Sequence, residues 1–130
     1  RRSSGDLRER VPLLKIRQEQ YDVFAEQAMA PSRRKAVAHA RRHWRDECAA
    51  RTDADLGGTD DRVVARGREH GVTSEADVLR LLNVLLAFGG TIDALVGEPW
   101  AKEILASERL APSAKLDQLE RGCLERLRTR

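Results

Sequence analysis

The chain has 130 residues, enough for one domain with a single buried core. Hydrophobic residues make up 41% and charged residues 35%, which excludes a disordered chain. The 24 basic and 21 acidic residues leave a net charge of +3, too small an excess to imply nucleic acid by itself.

Alanine, leucine, arginine and glutamate dominate, and all are good helix formers. No run alternates cleanly with period two. The predicted class is therefore all-α, a compact bundle or orthogonal array of about six helices. The chain opens at Arg1 without a methionine, and residues 1–11 read as a disordered leader, tag remnant or linker. On that reading the chain is a piece of a longer product, with a single helical domain over residues 12–130.

Segment one covers residues 12–28. Pro12 suits a first helical position. Leu14, Tyr21, Phe24 and Ala28 share a face, with Leu13 and Ile16 beside it. Ala30-Pro31-Ser32 breaks the segment, and Ser32 reads as the N-cap of the next. Segment two covers residues 33–50 as one helix. Val37, Ala40, Trp44 and Cys48 form its apolar stripe, and Arg34, Arg41, Arg42 and Arg45 its opposite face. Trp44 is predicted to pack inward while Arg41, Arg42 and Arg45 stay mostly solvated. TDADLGGT, residues 52–59, reads as a turn or short loop.

Segment three, DDRVVARGREH, starts at Asp60. Asp60 and Asp61 complement the positive end of its dipole, His70 lies in its last turn and Gly71 follows as a C′ residue. Thr73-Ser74-Glu75 starts segment four. The run from Val78 to Phe88, VLRLLNVLLAF, is apolar nearly all round a helix, interrupted only by Arg80 and Asn83. Such a helix must be covered on most sides, so the helix from about Ser74 to Phe88 is predicted to be the central buried element. At about eleven residues the run is too short for a bilayer, which needs roughly twenty. Gly89-Gly90 ends it. Segment five begins near Glu98-Pro99 with Trp100, Ile104 and Leu105. Residues 110–113 break the chain again, and segment six runs to about Arg128 with Leu116, Leu119, Cys123 and Leu127 on one stripe.

Few residues speak for chemistry. His39, His43 and Glu47 stack one turn apart, a spacing that can chelate a metal. The H-E-x-x-H pattern is missing, however, and a polar stripe flanking Trp44 explains them better. Asp53, Asp55 and Asp60 around Gly57-Gly58 lack the ligand spacing and closing Glu of a calcium loop. No G-x-S-x-G, P-loop or C-x-x-C occurs. No catalytic residue, cofactor or metal ligand is assigned. Cys48 and Cys123 fall on apolar stripes and read as buried free thiols. The cluster Arg33, Arg34, Lys35, Arg41, Arg42 and Arg45 suits phosphates, an acidic protein surface or plain solvation. Trp100 reads as a core anchor at a helix start, with an exposed partner hot spot as the alternative.

Four stretches together, IRQEQYDVF, VAHARRHWRDECAA, VARGREHGVTSEADVLRLLNVLLAFG and PWAKEILASERLAPSAKLDQL, resemble one group of small helical proteins. These are uncharacterised proteins encoded beside effector and spike genes of bacterial type VI secretion systems. The resemblance covers roughly residues 14–119 and carries no catalytic residue. It implies a role beside a secreted toxin, as adaptor, chaperone, immunity protein or accessory domain. Residues 28–32 lack the aromatic of that pattern, and residues 91–97 are less acidic and aromatic than it.

The resulting expectation is a non-enzymatic helical interaction module of the bacterial cytoplasm, with a toxin or secretion-spike component as protein partner and no membrane contact. The partner-binding candidates are Tyr21 and Trp100 as anchors and Arg34, Arg41 and Arg42 as a basic rim. The alternative is a nucleic-acid-binding regulator using the basic helix Arg33–Arg45, distinguishable by its steep salt dependence.

Overall fold

The structure, a computed structural model, describes residues 32–129. Seven helices and no strand occur among the described residues: α1 Arg33–His43, α2 Arg45–Cys48, α3 Asp53–Glu69, α4 Glu75–Phe88, α5 Ile92–Gly97, α6 Pro99–Ala106 and α7 Pro112–Arg128. The all-α class holds. Segment one and Tyr21 lie outside the described residues.

Helix α4 is the central element. Every residue from Val78 to Ala87 is buried, including Arg80 and Asn83. It packs against α7 on one side and α3 on another, with α5 at its C-terminal end. Helix α1 lies on α3, and α6 joins α5 to α7. The core therefore runs from Trp44 and Val63 through Leu79, Leu81 and Leu85 to Leu105, Leu116 and Leu119.

Local signals fix several ends as expected. Ser32 caps α1 by accepting from the Lys35 N–H, and Ser74 caps α4 by accepting from the Asp77 N–H. Gly71 follows α3 at φ 80°, and the Gly71 and Val72 N–H groups return to the Arg68 and Gly67 carbonyls. This is the reciprocal pairing of a Schellman end, and Val72 is fully buried behind it. Pro99 and Pro112 occupy first-turn positions, where a missing N–H costs nothing.

Four expectations are corrected. TDADLGGT is not a loop: Thr52 caps α3 by accepting from the Asp55 N–H, and the helix runs through both glycines. Asp53 and Asp55, not Asp60 and Asp61, then stand in the first turn. Gly57 lies within the helix beneath the Arg33 side chain, whose Nε would stand 2.6 Å from an added Cβ. Segment two is not one helix: it breaks at Trp44, whose backbone leaves the helical region at φ −130°, ψ 52° while its ring is buried. An additional short helix, α5, follows Gly89-Gly90, capped by Thr91. Arg41 is not a freely solvated residue. Its side chain is 37% exposed and its guanidinium donates to the Cys48 and Arg51 carbonyls and to Asp53.

Arg42 and Arg45 are exposed and Trp44 is buried, as the helical phase requires. Cys48 and Cys123 are both buried free thiols. Burial pushes the Cys48 thiol above its ordinary pKa, against the pull of Arg51 and Arg41, so it is held as the unreactive thiol.

Candidate functional site

The arginine face of α1 is partly consumed by the fold. Arg33 pairs with Asp61 of α3 at 2.8 Å, with both side chains more than half exposed. Lys35 pairs with Glu75 at the start of α4. Arg41 closes the turn after α2 by binding two carbonyls and the first-turn carboxylate of α3. Such exposed ion pairs contribute little stability each, but they fix side-chain directions. Arg34, Arg42 and Arg45 are exposed and have no ion-pair partner among the described residues.

Between α1 and the start of α3 lies an open groove of about 540 Å³. Its described lining is Arg33, Arg34, Val37, Ala38, Arg41 and Asp53. Val37 and Ala38 supply an apolar floor, and three arginines against one aspartate supply the rim. Arg34 and Arg41 recur on one side because they stand seven positions apart, about two helical turns. The structure thus brings two of the predicted rim residues together. It leaves Arg42 outside the groove. The floor residue Ala38 and the wall residue Asp53 were not identifiable as site residues from the sequence. Their one signal is the Ala38 position one turn after Arg34.

Trp100 lies elsewhere, on α6 against α7. Its ring is half-buried, with the Arg126 guanidinium 4.4 Å from the ring centroid. A Cβ on Gly122 would lie 2.7 Å from the ring, so glycine is what lets the indole seat on α7. The indole is therefore engaged by its own fold, and its buried N–H has no hydrogen-bond partner among the described residues.

The histidine stripe is also engaged. His39 is buried, and its Nε2 lies 2.8 Å from Asn83 Oδ1, which also accepts the Trp44 indole N–H. An indole only donates, so the shared Asn83 atom is its oxygen, and His39 Nε2 must carry a proton. The His43 ring stands 4.9 Å from that of His39. Among the described residues no group of three His, Cys, Asp or Glu could hold a metal ion.

One carboxyl stands out electrostatically. Asp60 of α3 is 2% exposed, and its Oδ1 has no hydrogen-bond partner among the described residues. Burial raises its pKa to about 6, with the adjacent Asp61 adding to the rise and Arg33 opposing it.

No family model matches the chain, and it has no match among curated proteins or solved structures. None of the described helices is long and apolar enough to cross a membrane.

Proposed function

We propose that this chain is a non-enzymatic helical interaction module that binds one protein partner through the basic face of α1. The observation that carries this reading is the groove itself: an apolar floor of Val37 and Ala38 framed by Arg33, Arg34 and Arg41. Protein interfaces combine an apolar centre with a polar rim, and arginine is enriched in them. A phosphate-binding face would be better served by free cations, whereas Arg33, Lys35 and Arg41 are engaged by carboxylates or carbonyls of the same chain. Stacking aromatics, which single-stranded nucleic acid needs, are missing from the described lining.

The biological setting follows from the resemblance alone. It makes the partner a secreted toxin or a component of its delivery machinery, met in the bacterial cytoplasm, with this chain as adaptor, chaperone or immunity-type protein. The test is affinity capture from the native host with the full chain as bait, over a salt series, with the genes beside its own identified. Retention of one protein encoded beside this chain supports the proposal. A gel shift of DNA at sub-micromolar concentration and near-physiological salt, with no protein retained, overturns it in favour of the regulator reading.

A further inference from the structure

We infer that the α1 groove takes an acidic, amphipathic stretch of its partner: one large apolar side chain seated on Val37 and Ala38, flanked by a carboxylate that pairs with Arg34. This deepens the protein-partner reading above and rests on it.

The groove, of about 540 Å³, is open to solvent and has room for one or two large side chains rather than for an enclosed ligand. The floor has no hydrogen-bonding side chain, since Val37 and Ala38 offer only carbon. A polar group placed there would lose water and gain nothing. The occupant of the floor is therefore apolar.

The rim selects the flanks. Asp53, the one acidic residue of the described lining, is already held by Arg41 through both Nε and a terminal nitrogen. Arg33 is held by Asp61, and Arg34 has no ion-pair partner among the described residues. The guanidinium fork of Arg34 matches a carboxylate in two-point geometry. A basic flank would meet its like charge.

The wall is set before anything binds. Arg41 is fixed by the Cys48 and Arg51 carbonyls, so it offers its aliphatic stem to the groove without having to be ordered on association. Arg34 is the adaptable member and the one expected to set the approach of the partner.

The test uses the full chain and a fluorescein-labelled peptide probe in which a leucine pair is flanked by glutamates. Two control probes replace the leucines by serine or the glutamates by lysine, and fluorescence polarisation reads the affinity. The glutamate-leucine probe should bind saturably, and each control about tenfold or more weakly. Ala38→Glu, which fills the floor with a charge, and Arg34→Glu should each weaken the probe about tenfold with an unchanged circular-dichroism spectrum. Equal binding of the serine probe, indifference to Ala38→Glu, or failure of the glutamate-leucine probe to bind would overturn the inference. Using Ala38→Glu as a second bait in the host capture separates the two levels. A protein retained equally by both baits removes the groove and keeps the interaction module. Retention by neither removes the module as well.

Discussion

Asn83 Oδ1 accepts the indole N–H of Trp44 at 2.8 Å, joining the residue that breaks α1 from α2 to a polar interruption of the apolar α4. The same oxygen meets His39 Nε2 at 2.8 Å. A polar residue in the most buried helix is thus the acceptor for two donors from α1 and its break. Asn83→Leu would leave the Trp44 indole N–H buried without its acceptor and take a partner from His39. The expected loss is about 1–3 kcal/mol in denaturant unfolding. A loss below about half a kcal/mol would show that water or a repacked neighbour satisfies Trp44 and His39.

Arg80, the other interruption, does the corresponding work towards α7. It is 2% exposed and holds Glu120 of α7 with two bonds of 3.0 Å, Asp117 at 2.5 Å and the Ser113 carbonyl at 3.4 Å. Burial alone would lower its pKa, but Glu120 and Asp117 reverse that, so it stays charged. Removing Glu120 leaves Arg80 with only Asp117 and the Ser113 carbonyl close by. Glu120→Ala should therefore cost part of the about 3–5 kcal/mol of a broken buried pair, whereas Arg80→Met together with Glu120→Leu should cost much less. Equal losses in the single and double variants, measured by thermal unfolding, would contradict this account of the clamp.

How much of this was legible follows from range. The burial of α4 could be read from VLRLLNVLLAF because an all-round apolar helix has only one environment available. Ser32, Ser74 and Gly71 could be read because caps act over three or four residues. Gly57 misled: a glycine pair between aspartates resembles a turn, and its helical place beneath the side chain of Arg33, 24 positions earlier, lies beyond any local pattern. Helix α5 is six residues long, too short for periodicity to show. The partners of Arg80 lie 37 and 40 positions away, beyond any local pattern. In the candidate site, Arg34 and Arg41 were legible as members of a basic cluster, but the phase reading set them opposite Val37, which they flank at three and four positions' distance. That Arg41 is pinned, and that Asp53 borders the groove, depends on α3 starting at Asp53 rather than at Asp60.

Asp60 gives the fold a dependence on pH. Its carboxyl pKa is raised from 3.8 to about 6 by burial and by Asp61. The native state therefore holds the proton more tightly than the unfolded chain. Stability from this group is fully present below about pH 4 and is lost as pH rises towards and through 6. Asp60→Asn cannot ionise, so it should match the parent near pH 4 and exceed it at pH 8 by about 1–3 kcal/mol. Urea unfolding at the two pH values checks this. A stability difference that does not change with pH would contradict it.

Two helical glycines should respond in opposite directions to alanine. Gly58 has open space around a Cβ, so Gly58→Ala should stabilise α3 by about 0.5–1 kcal/mol through helix propensity. At Gly122 the added Cβ would lie 2.7 Å from Trp100, and the ring would have to leave its seat under Arg126. Gly122→Ala should destabilise despite the propensity gain, with a changed tryptophan emission spectrum. Stabilisation by both substitutions would mean that Trp100 is not anchored there.

The central claim, a protein-binding face on α1, is tested most directly by the association rate of the captured partner. Rim charges act mainly on the rate of encounter. With Arg34→Glu, the partner should associate about threefold or more slowly at low salt, with little change in dissociation and no change in thermal stability. An association rate equal to that of the parent chain would contradict the claim that this face meets the partner.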